Sequence, residues 1–460
     1  MKGFLRSVSA LLLIIFFASF CLWRYEKLSL IDDVTSYFSG ALDRFDRLLA
    51  LAEPKGEKEE EPEPPSGPVD SGGNYADYNP SANVDADLVE ALREGLTNME
   101  SVIDLSALSP TKDAVTAAMS SIVYSSPEYF YLYSKYSMSS SSEGNVRSIT
   151  LTYTATKDEV LGMREVYQEK LAEIVAGAPE NGTDFDKILY LHDYFVQNYS
   201  YDETLTIRDA YTFFTTKKGV CQAYMLGLIA AARELGIESI PVTSDKMKHA
   251  WNLVKIDGAW YHVDITWDDS KSYPTLTSYT YFLQSDAGLV AIDATREEAD
   301  RHREWVTAQA ATDTKYDTAV FRKTNTPILN HNGVYYLTVG AEDTKSSRGA
   351  ILSGTDITAM THFLDVKGGY WTAGQGRNYD DCYTGLWLEG QYLYYNSGNS
   401  ISCVNLSAPI TDYRVYLATD LAVGESIYGI IGIENGTLTY LKAVSPRAQG
   451  YTLGSLNITQ

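Results

Sequence analysis

Cysteine is scarce in this chain: 4 in 460 residues, at Cys21, Cys221, Cys382 and Cys403. So few thiols exclude a disulfide framework. No CxxC, HExxH, phosphate-binding loop or dinucleotide fingerprint occurs. His302, His331 and His362 lack metal-ligand spacing, so neither a metal nor a cofactor is expected. Basic residues are outnumbered as well: 37 Lys and Arg face 60 Asp and Glu, a formal net charge of −23. Phosphate backbones call for clustered cations, which argues against nucleic acid, and the same deficit argues against electrostatic docking on anionic lipid.

Long apolar runs are nearly absent too. The exception is Val8 to Trp23, preceded by Lys2 and Arg6 and closed by Arg24 and Lys27. Sixteen helical residues span about 24 Å, short of a bilayer core of roughly 30 Å, so length leaves signal peptide and anchor both open. No Ala-x-Ala cleavage site follows, and Phe20 before Cys21 is not the small residue a lipoprotein signal requires. The favoured reading is an uncleaved signal anchor over residues 1–27, with the rest of the chain outside the cytoplasm; cleavage would give a secreted protein. Residues 28–52 have the apolar spacing of an amphipathic stalk helix. Residues 53–82, rich in Pro and Glu, have nothing apolar to fold on and read as a disordered spacer.

Two folded parts follow. Residues 83–319 carry helical patterns at 86–100, 111–123, 157–176 and 184–198, with strand patterns after Ser125-Ser126-Pro127 and at Ser148–Tyr153. Residues 320–460 change texture to short Tyr-rich strands between Gly and Asn turns. Three windows resemble one another there, beginning at Asn332, Gly390 and Asn435, with glycines 57 and then 46 positions apart. That is too irregular and too few for a closed propeller. The expectation is an all-β module, either a packing unit or a glycan-binding one. Cys382 and Cys403 both fall in it, as a disulfide or as two buried thiols.

The chemistry lies earlier. Cys221 follows Gly219-Val220 and starts a segment, to about Leu235, that is apolar nearly all round and so reads as a buried helix. A thiol at a helix N-terminus is favoured as thiolate by the dipole and the free N–H groups. His249 comes 28 positions later in His-Ala-Trp-Asn, and Asp264 a further 15 on in Trp-Tyr-His-Val-Asp-Ile-Thr-Trp-Asp-Asp. Trp251–Ile256 and Ala259–Trp267 flank Asp257-Gly258, a two-residue hairpin signal. Pairing Ile256 with Ala259 makes opposed positions sum to 515. Asp264 then opposes Trp251, and His249 and Asp264 become diagonal neighbours on one face. Trp251 shares that face, as a wall of the site or as core, while Trp267 is expected on the other. His262 also lies on the shared face and competes with His249 for the role of base. His192 reads as structural.

These segments resemble the bacterial transglutaminase-like superfamily, as do Ser-Ser-Pro-Glu-Tyr-Phe, the helix around Ile188–Tyr194 and Tyr281-Phe282-Leu283. The resemblance covers about residues 84–310. It implies an α+β, papain-like core in which a helix bearing the cysteine packs on an antiparallel sheet bearing histidine and aspartate. It also implies Cys221 as nucleophile, His249 as base and acid, and Asp264 as orienter. For the oxyanion the Cys221 N–H is a candidate, with Gln222 and Tyr211 as side-chain candidates and Trp251 as a substrate contact. The Ca²⁺ sites of animal transglutaminases have no counterpart. Three functions follow: transfer of a protein or peptide acyl group at the cell surface, hydrolysis by the same triad, or surface binding with an inactive triad. No oligomeric state is implied.

Overall fold

Polar caps start most of the helices. In the computed structural model, which describes residues 85–269, 276–294, 301–340, 349–366, 385–408, 412–444 and 450–458, Asp85 caps α1 (Ala86–Asn98). After β1 (Val102–Asp104), Thr111 caps α2 (Lys112–Ser125). Strands β2 (Leu132–Ser140) and β3 (Val146–Tyr153) complete an antiparallel sheet in the order β1-β3-β2. Leu88, Leu92, Val115, Ile122 and Ile149 close a small core there.

Capping boxes open the next two helices, α3 (Lys157–Val175) at Thr156 with Glu159 and α4 (Asp184–Asn198) at Thr183 with Asp186. Each box satisfies two donors that a helix start leaves over. Strand β4 (Ser200–Tyr201) precedes α5 (Ala210–Thr216) and pairs in parallel with β5 (Lys218–Gly219). Helix α6 (Cys221–Glu234) starts immediately after, and every residue from Cys221 to Ala232 is buried. It packs on an antiparallel sheet of β6 (Ser239–Ser244), β7 (His249–Ile256), β8 (Ala259–Val263) and, after the helical turn α7 (Ile265–Asp268), β9 (Phe282–Gln284). Helix α8 (Asp286–Asp293) follows.

The β7–β8 register is the one the two-residue loop predicts, from Ile256 opposite Ala259 to Asn252 opposite Val263. Asp257 and Gly258 both have positive φ, 51° and 86°, as a type I′ turn requires. The second strand is shorter than expected, however. It stops at Val263, and Ile265–Asp268 is helical. Asp264 accepts the Trp267 N–H through Oδ1, and this cap outweighs the β-propensity of Ile-Thr-Trp.

The C-terminal part is all β. Strands β10 (Leu329–His331), β11 (Val334–Val339), β12 (Ala350–Gly354) and β13 (Thr361–Asp365) form one meander. A second is made of β14 (Leu386–Glu389), β15 (Tyr392–Ser397), β16 (Ser400–Asn405) and β17 (Tyr413–Leu417). The third is β18 (Ser426–Glu434), β19 (Thr437–Ala443) and β20 (Thr452–Asn457). Each of the three similar windows is the first turn and second strand of one meander, so the internal likeness is structural. Their tyrosines Tyr335, Tyr336, Tyr394, Tyr395 and Tyr440 are buried, which makes them packing residues. The first meander shares the core of the cysteine helix through Tyr335, Leu337 and Val339, and Asp186 accepts hydrogen bonds from Tyr335 and Asn330.

Cys403 is a buried free thiol; Cys382 lies outside the described residues, as do Cys21 and the expected anchor, stalk and linker over residues 1–82. Among the described residues no helix is long and apolar enough to cross a membrane.

Gly219 is a wedge point. A Cβ there would lie 2.6 Å from the Ala223 Cβ and 2.7 Å from the Phe213 ring, so only glycine lets α5 and α6 approach. Gly162, inside α3, has nothing within 4 Å of the same position. Gly219→Ala is expected to lower stability by about 1–3 kcal/mol. Gly162→Ala is expected to raise it by about 0.5–1 kcal/mol. Denaturant titration of both checks this, and a neutral Gly219→Ala would show that the helix entry is not wedged.

Candidate active site

Three elements converge on one sulfur. Cys221 is the first residue of α6, where Val220 accepts the Ala223 and Tyr224 N–H groups and helix geometry leaves the earlier donors without helical partners. His249 is the first residue of β7, opposite Ser244 of β6. Asp264 follows β8 directly and caps α7. The His249 Nε2 lies 2.6 Å from the Asp264 Oδ2. That leaves Nδ1 for the Cys221 thiol, which is hydrogen-bonded to the His249 side chain and to the Ala250 N–H. The site is closed in: Cys221 is 9% exposed, and the side chains of His249 and Asp264 are 8% and 1% exposed.

The charges are set by these contacts. Burial would raise the Cys221 thiol, but the charge and hydrogen bond of His249, with the Ala250 N–H, lower it. Burial disfavours the imidazolium of His249, yet Asp264 and Cys221 outweigh it and push it up to about 10. Burial likewise works against a charged Asp264, and His249 and His302 hold it well below the usual carboxylate range. The arrangement favours a thiolate–imidazolium pair, with the carboxylate against the imidazole. The His249 contribution to stability is whole below its unfolded value, near 6.5, and fades as pH rises toward 10. That of Asp264 is present above about 3.9 and fades as pH falls.

The other expected residues are dispersed. Trp251 stacks on His249 at 5.4 Å but is only 2% exposed, and its indole N–H donates to His262 Nδ1 at 3.0 Å. Trp267, expected on the opposite face, also stacks on His249, at 5.3 Å, because the α7 turn carries it there. His262 is fully buried and turns its Nε2 to Asp286, 2.8 Å away, so it serves the packing behind Trp251. Gln222 is buried in the first turn of α6. Tyr211 stacks on Phe130 at 4.9 Å. His192 is buried between Asp193 and Asp268.

Two residues near the triad escaped the sequence reading. Tyr201, paired with Gly219, is raised first by burial and then by the nearby Cys221. His302 places its Nε2 2.9 Å from the same Asp264 Oδ2 that His249 uses. Its only signal in the sequence is its residue type, since it lies 38 positions past Asp264 on a separate segment. The donors of His249, Asp264 and His302 lie within 4.8 Å of one another, a grouping a cation could use. Ligands around a tetrahedral zinc sit about 3.3 Å apart at bond lengths of roughly 2.0–2.1 Å. The 2.6 Å contact of His249 with Asp264 fits a charge-assisted hydrogen bond better.

Residues 169–265 match the family model of the transglutaminase-like superfamily, and the match contains Cys221, His249 and Asp264. Two solved structures are similar over 29% of this chain. One is a TGase, at 15% identity and a TM-score of 0.20, with 44% of that chain covered. The other is a proposed cysteine protease from Cytophaga hutchinsonii, at 17% identity and a TM-score of 0.19, with 61% covered. This chain therefore spans about half the length of the solved structures it matches. No curated protein matches it.

The depressed thiol has a direct readout. Iodoacetamide at pH 6 is expected to modify Cys221 well ahead of Cys403, whose thiol burial pushes up against an opposing hydrogen bond from Tyr394. In His249→Ala burial acts on Cys221 with its main counterweight gone, and labelling at pH 6 should fall by about tenfold or more, the effect of one unit or more. Mass spectrometry of the labelled peptides checks both. Wild-type Cys221 that reacts only near pH 8.5 or above would refute the ion pair.

Proposed function

With a transglutaminase-like core over residues 169–265 as the premise, we propose that this chain is a cysteine enzyme that transfers an acyl group from an amide of a protein or peptide. One observation carries the reading: an unbroken line of contacts from Cys221 through His249 to Asp264. The thiolate attacks the amide carbonyl carbon, and the C–O double bond opens to an oxyanion. The Cys221 N–H at the start of α6 is the proposed donor to it. His249 gives its proton to the leaving nitrogen, the C–N bond breaks, and a thioester remains on Cys221. An incoming amine or water then loses a proton to His249 as it displaces the sulfur. Asp264 keeps its charge throughout and steadies the imidazolium.

An amine is the proposed acceptor, with Trp267 as the indole that screens the thioester from water. Water is the competing acceptor, and the burial of Trp251 against His262 favours it by removing the second indole from that task. The deciding assay offers a glutamine-containing peptide and a labelled primary amine. Incorporation that disappears in Cys221→Ala is the expected result. Deamidated or cleaved peptide alone, at high amine concentration, would replace transfer with hydrolysis. No Cys221-dependent product of either kind would leave the chain as a binding protein.

The same proposal puts the enzyme at the cell surface, held by residues 1–27. The supporting feature is the apolar run from Val8 to Trp23 between basic flanks. Protease added to intact cells should cut within residues 53–82 and release the folded part from the membrane fraction. A mature N-terminus mapped just after Trp23 would show a cleaved leader instead.

A further inference from the structure

We propose that His302 is a positioning residue for the Cys221 reaction: it holds the Asp264 carboxylate in the orientation His249 requires, and Asp293 in turn holds His302. The inference rests on the acyl-transfer reading and adds a fourth and a fifth side chain to its machinery.

The geometry is a line of hydrogen bonds. Asp264 Oδ2 is shared by His249 Nε2 at 2.6 Å and His302 Nε2 at 2.9 Å, while Oδ1 accepts the Trp267 N–H at 3.2 Å. Without His302, one backbone donor on Oδ1 would be left to set the carboxylate plane against a histidine that must move protons. His302 is itself fixed twice to one oxygen of Asp293, through Nδ1 at 2.9 Å and through its backbone N–H at 2.6 Å. Tyr281 donates its hydroxyl to the other oxygen of Asp293 at 2.9 Å. His302 is wholly buried, with Trp267 and Trp251 against its ring at 4.2 and 4.9 Å.

What sets His302 apart from His192 and His262 is its partner: its Nε2 meets the same Asp264 oxygen that His249 uses. Here both ring nitrogens meet carboxylate oxygens, and a neutral imidazole carries only one N–H. The Asp264 contact and the two Asp293 contacts fix the ring from both sides, and a fixed ring holds the carboxylate it touches. The backbone delivers the ring to this spot. Val306 and Thr243 exchange two backbone hydrogen bonds, at 3.1 and 2.8 Å, and Ser244 donates its hydroxyl to the Arg303 carbonyl at 2.7 Å. Ser244 is the residue opposite His249, so this segment lies along the β6 edge at the level of the triad.

Two substitutions separate positioning from packing. Gln at 302 can carry its amide N–H to where Nε2 stands, and so keeps a donor for Asp264. Asn at 302 reaches only as far as Nδ1, and so keeps Asp293 but abandons Asp264. The probe is p-nitrophenyl acetate. Thiolate attack releases p-nitrophenolate in a burst, leaves acetyl on Cys221, and the His249 proton passes to solvent; water, deprotonated by the now neutral His249, then releases acetate in the slow steady phase. His302→Asn is expected to keep the burst and complete iodoacetamide labelling, and to slow the steady phase by on the order of 10²-fold, the effect of a misplaced catalytic group. His302→Gln is expected to stay close to wild type. Asp293→Asn, which keeps the His302 ring but weakens its anchor, is expected to slow the same phase and keeps the test open should the His302 variants fail to fold.

Equal losses in the Gln and Asn variants, in step with their melting temperatures, would reduce His302 to a packing residue. So would an unchanged steady phase in the Asn variant or in Asp293→Asn. A wild-type chain with no Cys221-dependent burst would overturn the acyl-transfer reading and the positioning role with it, whereas a normal wild-type burst with indifferent variants overturns the role alone.

Discussion

A carboxylate taken out of water must be repaid in donors, and the site is organised around repaying one. Asp264 is 1% exposed and is kept charged, which is affordable only because its oxygens meet two imidazoles and a backbone N–H. Each donor dictates a piece of structure. The Trp267 N–H turns the end of β8 into a helical turn. His249 must open β7 at the level where that turn begins. His302 must arrive from far along the chain, and its segment is pinned to the β6 edge to bring it there. Cys221 is the last link: its thiol is lowered chiefly by His249, with help from the Ala250 N–H, and His249 is raised first by Asp264.

The same helical turn carries a second buried carboxylate with a similar solution. Asp268 closes α7, accepts the Ser278 hydroxyl at 2.8 Å and the Tyr281 N–H at 3.1 Å, and faces His192 Nε2 at 3.3 Å. Burial disfavours a charge on His192, yet Asp193 and Asp268 push it up to about 9. Tyr281 joins the two networks, with its N–H on Asp268, its carbonyl accepting the Asp264 N–H and its hydroxyl on Asp293. A turn of four residues is thus held at both ends by ion-paired histidines. This rigidity is what a triad needs, since an orienter that swings by an ångström no longer orients.

How much of this was legible in the sequence depended on range. The β7–β8 register followed from a two-residue loop, because that loop leaves one pairing and the pleat fixes the rest. The cysteine helix was legible because it is apolar all round, and a helix like that has one place to go. The failures came where a side chain overruled a local preference or where distant segments met. Ile-Thr-Trp reads as strand, and only the Asp264 side chain, by capping, makes it helical. Trp267 changes face as a consequence, and Trp251, which had been the natural wall, becomes the support beneath His249. His302 was invisible because its partner is set by how the chain returns to β6, and periodicity holds no trace of that return. The C-terminal windows were recognisable as repeats by their turn residues, while their equivalence as second strands of successive meanders needed the pairing itself.

The exchange of roles between the two tryptophans bears on chemistry. Both stack on His249 with ring planes within 24° of it, so the imidazolium lies against π faces that favour its charge. Trp251 does this from within the core, where its N–H is already committed to His262. Trp267 does it from a part-exposed position on a turn whose cap is the Asp264 carboxylate itself. The backbone N–H of Trp267 is also the one that Asp264 Oδ1 accepts, at 3.2 Å. The stack on His249 and the orientation of the carboxylate that His249 meets are therefore joined through a single residue.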